Sequence, residues 1–525
     1  MRRRRIIRGA CALTLLGSAV LVPLSPASAA DQVTTNGCVN SVPEPGTTTP
    51  VRICYSLFKP AGASATRTVP LIFHSHGWGG SRTKAPAAFK SWLDAGYGVL
   101  SFDQRSFGES TGVAHVMNPD LEGRDVIRLI DLVASLDWVT RQRPGDPLIG
   151  AIGGSYGGGY QFAGAFTELR DKGRTRFDAL APEITWWDLK QSLAPAETAR
   201  TLWLAILFKS GGANLPPAVR AAFVRLIATG TWPSGQAGRE LDAFFAKNGP
   251  AWHVVHGRKL DLPVLIGQGL SDNLFNLNQG LQNFDKALTE RARSRSLLVG
   301  YNGGHTLKSV LPPGFAEPGD PCSIALGSPN FAALEQRFMA LNLKQQQTGL
   351  TGFGSYHLAT ANGRCVTQRD LSPNSRYEVG KVVGTARVRL PGNIRLARGP
   401  LTVAGVPYLD ANVSSLLPGA RAFFALSVGT TPQNAKVVQN NTMPLQERNA
   451  VHGARRSIEL PGIAVDVPAG KSLFLTVSPV ADMYAGRNGR VPAPLILNHA
   501  VIEVHRVHLA TDVQRISSRY LLKVD

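Results

Sequence analysis

Ser155 is the residue of this chain best suited by its surroundings to act as a nucleophile. Residues 147–170, PLIGAIGGSYGGGYQFAGAFTELR, read as a buried strand, a glycine-packed turn with one serine at its tip, and a helix of small residues. A serine hydroxyl reacts poorly at neutral pH, so chemistry there needs a base beside it and amide donors for the oxyanion. A strand-turn-helix elbow offers both. Gly153 and Gly157, two residues to either side, let the chain turn sharply, and the Tyr156 amide faces the position where the oxyanion forms. The pattern G-x-S-x-G occurs a second time, in GESTG at 108–112. Ser110 there follows the strand GVLSFD but runs into VAHVMNPD, which starts no helix at once, so context selects Ser155.

The rest of the catalytic set is searched for downstream, because an α/β-hydrolase orders its triad Ser, Asp or Glu, His, each on a loop at the carboxyl end of a later strand. LPVLIGQGLSDNLF (262–275) is an apolar run closed by Gly269 and followed by Asp272; RSLLVGYNGGHTL (295–307) is another, followed by a glycine turn and His305. His305 then takes the Ser155 proton and returns it to the leaving group, while Asp272 fixes the imidazole tautomer. The rivals fall out by position. Asp261 lies before its strand, Asp285 sits within the following amphipathic helix, His74 and His76 precede the serine, and His253 and His256 precede the last two strands. A plain reading of Asp272 as a helix N-cap and of His305 as a turn residue stands beside the catalytic one. The second oxyanion donor is expected from the loop after VPLIFHS (69–75), where HGWGG at 76–80 makes the Trp78 amide the candidate.

These residues together resemble the cocaine esterase and X-prolyl dipeptidyl-peptidase group of serine hydrolases. FDQRSFGESTG matches that group's D-x-R-G-x-G-x-S-x-G stretch at Asp103, Arg105, Gly108, Ser110 and Gly112. The similarity continues through the helix DLEGRDVIRLIDLVASLDWV, the GGSYGG elbow, GQGLSDNLF, the GGH turn and LEQRFMALNLK, over roughly residues 69–345. Two positions depart from it: Ser106 stands where the group has glycine, and Trp78 where members often carry a tyrosine whose hydroxyl serves the oxyanion. Tryptophan offers no phenol, so backbone donors take that role. A dipeptidyl peptidase also needs carboxylates for the substrate's free amine, for which Glu168, Glu183, Asp188 and Glu197 are available.

Further elements must hold these residues. Strands at 69–75, 98–103, 147–152, 177–182, 263–268 and 295–300 alternate with helices, which predicts an α/β fold with a mostly parallel sheet over 31–346. Residues 186–252 interrupt it with several helices, a cap over the site. Trp186, Trp187, Trp203, Phe208, Trp232 and Trp252 there offer apolar surface, either to substrate or to the cap's own core. Residues 347–374 read as a linker, and from 375 to 525 short alternating runs such as RAFFALSVGT and KSLFLTVSP predict an all-β sandwich whose position resembles the group's carboxy-terminal jelly roll.

The first thirty residues, with five arginines, an apolar middle and an A-S-A end, read as a signal peptide. The twin-arginine and general secretory routes both fit it. No later apolar run approaches about eighteen residues, so an exported chain without a transmembrane anchor is expected. Cys38, Cys54, Cys322 and Cys365 remain after cleavage, and of three possible pairings the nearest in sequence joins Cys38 to Cys54 and Cys322 to Cys365. No metal-ligand spacing and no cofactor motif is found. Losing an acid-free leader with five arginines takes the net charge from +20 to +15. The basic residues are dispersed without a recognition motif, so nucleic acid is not expected as a partner, whereas an anionic cell envelope is. The reading is a secreted serine hydrolase that cleaves a small-molecule ester or amide, or a peptide, through an acyl-enzyme. An Xaa-Pro dipeptidyl-peptidase and a non-catalytic envelope-binding protein on a hydrolase scaffold are the alternatives.

Overall fold

The computed structural model describes residues 32–314, 319–384, 391–485 and 495–507, together with the backbone of a strand at Leu521–Lys523. The signal peptide read at residues 1–30 lies outside the described residues. A ten-stranded sheet forms the frame: β1 (Val33–Ser41), β2 (Val51–Lys59), β3 (Leu71–Ser75), β4 (Gly98–Phe102), β5 (Ile149–Gly154), β6 (Phe177–Glu183), β7 (Leu265–Gly269), β8 (Leu297–Tyr301), β9 (Tyr356–Ala359) and β10 (Cys365–Gln368). Their spatial order is β1-β2-β4-β3-β5-β6-β7-β8-β9-β10, parallel from β4 to β9 and antiparallel at both edges.

The sheet is apolar on both faces because helices cover both, as parallel sheets require. Along β3, Leu71 and Phe73 enter one core while Ile72 enters the other. The first core is closed by α1 (Glu122–Ser135), α2 (Tyr156–Lys172) and the cap; the second by α5 (Phe331–Lys344), which follows α3 (Thr201–Gly211) and α4 (Leu277–Lys286) in the chain. The cap consists of five helices between Leu189 and Val255, α3 among them, plus short 3-10 turns.

One feature of the chain differs from the expectation. The stretch 347–374 is not merely a linker: β9 and β10 lie within it and extend the large sheet. The Cys322–Cys365 disulfide, paired as expected, joins a short helix beside β8 to β10, inside the hydrolase layer. The Cys38–Cys54 disulfide links directly opposed residues of β1 and β2.

Beyond Asn374 the chain forms two five-stranded, mostly antiparallel sheets and a two-stranded one, with their own core, in which Tyr377, Leu409, Phe424, Leu475 and Ile502 are buried. The long strands Tyr408–Ser415, Ala420–Gly429 and Leu495–Val504 lie in it, and a parallel pairing of Leu521–Lys523 with Arg376–Glu378 is the exception to its antiparallel order. The chain is therefore an α/β-hydrolase fold followed by a β-sandwich.

Candidate active site

The elbow forms where β5 meets α2. Ser155 has φ 57° and ψ −122°, a conformation costly for a residue with a side chain. It persists because the surroundings dictate it: the Ser155 amide donates to the Glu183 carbonyl of β6 at 2.9 Å, and its carbonyl accepts from Gly158 and Gly159 as the helix begins. Gly153, at φ 134°, supplies the turn, and at Gly157 a Cβ would lie 2.4 Å from the Ser75 carbonyl oxygen. As the first residue of α2, Tyr156 has an amide with no acceptor within the helix, the usual orphan donor of a helix N-terminus.

Asp272 and His305 come together across 33 residues of chain: His305 Nδ1 and Asp272 Oδ2 are 2.6 Å apart. Asp272 is fully buried, and its other oxygen accepts from the amides of Leu274 and Phe275 at 2.9 and 2.7 Å. Those bonds resemble a cap geometrically, but the second oxygen is left for the histidine. The tautomer follows, since Nδ1 must donate to the carboxylate and Nε2 is then free to accept a proton. Burial alone would lower the His305 pKa, but the charge and hydrogen bond of Asp272, with the charge of Glu183, outweigh it and raise the value above ordinary histidine.

The rivals are engaged elsewhere. Asp261 pairs with Arg291 at the surface, Asp285 accepts from the Tyr356 hydroxyl, and His253 stacks on Phe166. Ser110 accepts from the Cys54 amide and donates to the Asp103 carbonyl, both at 2.8 Å, which makes it a splice between β2 and the loop after β4.

The oxyanion loop is held from three sides. His76 Nε2 accepts from the Gln104 amide at 3.1 Å, so its Nδ1 is the protonated nitrogen and donates to the Gly77 carbonyl at 2.8 Å. Burial lowers the His76 pKa, which agrees with a neutral ring. At the far end of the loop, Arg82 forms an ion pair with the fully buried Asp103, which also accepts from the Arg82 amide at 2.6 Å. The Trp78 indole donates to the Leu207 carbonyl of α3 at 2.9 Å and packs against Gly211, where a Cβ would lie 2.5 Å from its Nε1.

A cavity of about 60 Å³ opens over Ser155. Trp186 lines it as the sequence suggests, with Trp78, Phe208 and Tyr156; the cap adds Leu193 and Phe223, and the segment after Asp272 adds Leu274 and Phe275. Trp187 and Trp203 do not line it. Trp203 donates to Asn273 Oδ1 at 2.9 Å and sets its ring at a right angle to His305, 6.0 Å away; Trp187 lies under the Lys286 ammonium. Phe275 lines the cavity beside Ser155 and sets its ring 5.3 Å from the His305 imidazole, so the Asp272–His305 pair lies next to a residue of the cavity wall.

Several roles escaped the sequence reading. Arg105 is completely buried and donates to both Asp125 oxygens at 2.9 and 2.7 Å, to Glu44 at 2.9 Å and to the Val42 carbonyl, so the motif arginine ties the segment before β2 and α1 to the loop after β4. Glu183, whose carboxyl accepts from the Tyr301 hydroxyl, is raised in pKa by burial beside the elbow. Most distant in sequence is the turn Gln439-Asn440-Asn441 of the sandwich, with Gln439 and Asn440 at φ 49° and 58°. Asn441 donates to the Leu270 carbonyl at 2.9 Å, two residues before Asp272, and Asn440 donates to the Leu307 carbonyl at 2.6 Å, two residues after His305. Gln439 donates to Asn302 at 2.9 Å. All three side chains are buried. A signal was present only in the run of amides Q-N-N, which reads equally as a surface turn.

Among the described residues no group of three or more His, Cys, Asp or Glu side chains is placed to hold a metal ion, and no helix is long and apolar enough to cross a membrane.

Fold and site together define a hydrolase of the α/β-hydrolase class. Residues 49–306, just under half of the chain, match the model of the X-Pro dipeptidyl-peptidase (S15) family. Solved structures with the same fold include a CocE/NonD family hydrolase from Staphylococcus aureus (12% identity, TM-score 0.63, covering 91% of this chain and 94% of that one). An aminopeptidase from a marine sediment Thaumarchaeota archaeon is similarly related (13%, 0.62, 94% and 99%), as is an α-amino acid ester hydrolase (12%, 0.60, 92% and 98%). Over 104 residues, 20% of the chain, the sequence is 34% identical to an uncharacterized 31.7 kDa protein of the traX-finO intergenic region of Escherichia coli; the match spans about a third of that protein.

Proposed function

We propose that the protein is a secreted serine hydrolase that cleaves an ester or amide through an acyl-enzyme. The observation that carries this reading is a serine held at φ 57° on the cavity wall, with a histidine bonded to a buried carboxylate packed against the Phe275 ring that lines the same cavity. Ser155 Oγ attacks the acyl carbon as His305 Nε2 takes its proton. The amides of Tyr156 and Trp78 receive the developing oxyanion. His305 then protonates the departing alcohol or amine, the bond to it breaks, and a water activated by the same imidazole hydrolyses the acyl-serine. Asp272 keeps Nδ1 protonated and compensates the imidazolium. Secretion is supported by the leader-like first thirty residues and by two disulfides, which form in oxidising compartments.

The test is labelling of the purified protein with a fluorophosphonate, followed by peptide mapping. Modification at Ser155, abolished in Ser155→Ala, is expected; a folded protein that stays unlabelled would overturn the assignment and favour an envelope-binding role.

A further inference from the structure

We infer that the acyl part of the substrate is an uncharged apolar chain of about four to six carbons, so that the enzyme is a carboxylesterase for such groups and not a hydrolase of α-amino esters or N-terminal dipeptides. This rests on the serine-hydrolase reading and adds to it the chemistry of the pocket.

The cavity over Ser155 is lined without a single Asp, Glu, Lys, Arg or His. Its two tryptophans have no polar function left to offer, because the Trp78 indole donates to the Leu207 carbonyl and the Trp186 indole to the Asn248 carbonyl. The four carboxylates named above as available to a substrate ammonium are committed elsewhere. Glu168 pairs with Arg176 at 2.6 Å, Glu197 with Arg448, Asp188 caps the helix that starts at Leu189, and Glu183 takes the Tyr301 hydroxyl. An ammonium placed here would be desolvated with no counter-charge, which a protein interior tolerates poorly. A hydrocarbon chain, by contrast, gains about fourfold in binding for each methylene buried.

Size sets the scale of what the cavity encloses. At roughly 10–15 Å³ for each water-sized occupant, 60 Å³ encloses about four to six methylene-sized groups, and a longer chain must leave the cavity for solvent. The cap, with Leu193 and Phe223 among its lining residues, supplies half of the cavity lining, so chain length is expected to be read by the cap.

The experiment uses the full chain in three parallel assays: fluorophosphonate labelling, p-nitrophenyl esters from acetate to palmitate, and the matched pair methyl hexanoate and norleucine methyl ester, which differ by one α-ammonium, with a Xaa-Pro-anilide alongside. Expected are labelling at Ser155, kcat/KM greatest at four to six carbons and at least tenfold lower at twelve, and norleucine ester turnover at least a hundredfold below hexanoate. Phe223→Ala or Leu193→Ala is expected to move the maximum to longer chains; either variant suffices should the other fail to fold. Labelling at Ser155 accompanied by preference for the norleucine ester or the Xaa-Pro-anilide, or by a maximum at twelve carbons or more, overturns the pocket assignment and leaves the serine-hydrolase reading intact. No labelling fells both.

Discussion

Ser110 and Ser155 occupy the same five-residue pattern, yet the fold uses them in opposite ways. Ser110 has both hydrogen-bonding capacities satisfied by backbone, from Cys54 and to Asp103. Ser155 sits at φ 57° between a strand and a helix, on the wall of a cavity. A serine whose hydroxyl is spent on the scaffold stabilises; one held in a strained backbone at a helix start is available for chemistry. The motif alone does not distinguish them, whereas the backbone does.

The comparison is broken most directly by substituting each serine. Ser155→Ala is expected to lower kcat/KM by at least about 10⁴-fold, as loss of an acyl-enzyme nucleophile does. Ser110→Ala should leave turnover within a factor of two and instead lower urea stability by about 1–2 kcal/mol, because the Cys54 amide loses its acceptor. Equal activity losses in the two variants would refute the distinction. Asp272→Asn, which can no longer enforce the imidazole tautomer, is expected to reduce kcat about 10³- to 10⁴-fold with little change in KM.

Arg105 sharpens the contrast from the scaffold side. Replacing it by methionine leaves Asp125 buried and Glu44 half-buried without their cation, so denaturation should show a loss of about 3–5 kcal/mol, with the KM of the folded fraction unchanged. A smaller effect is expected from Asn440→Ala, in which the Leu307 carbonyl keeps the Asn273 donor but loses that of Asn440, and with it the sandwich's brace on the His305 loop. The expected signature is roughly a tenfold fall in kcat at constant KM, because orientation and not binding is disturbed. Stopped-flow titration of acyl-enzyme formation would separate this from simple instability.

The finest test concerns pH. A raised His305 pKa places the acidic limb of kcat/KM above about 6.5, since only the neutral imidazole accepts the serine proton. The Glu183 charge contributes to that rise, so Glu183→Gln should move the limb to lower pH; a shift upward would contradict the sign.

What the sequence disclosed and what it concealed divide along the same physical line. The six central strands and the residues at their carboxyl ends were legible because apolar β-branched runs closed by glycine carry a local signal. β1 was missed because VTTNGCVNS lies exposed at the sheet edge and shows no apolar period. β9 and β10 were missed because four residues are too few to display one. Arg105, the Arg82–Asp103 pair and the Gln439-Asn440-Asn441 turn are buried polar groups whose partners lie 20 to 171 residues away. No window along the chain contains both ends of such a bond.

That turn also orders events in time. The carbonyls it holds flank Asp272 and His305, but residues 439–441 emerge more than a hundred residues after the last of the three catalytic candidates. A chain still under synthesis therefore carries the serine, the acid and the base without the clamp that fixes two of them. On the proposed reading, full turnover then waits on the sandwich.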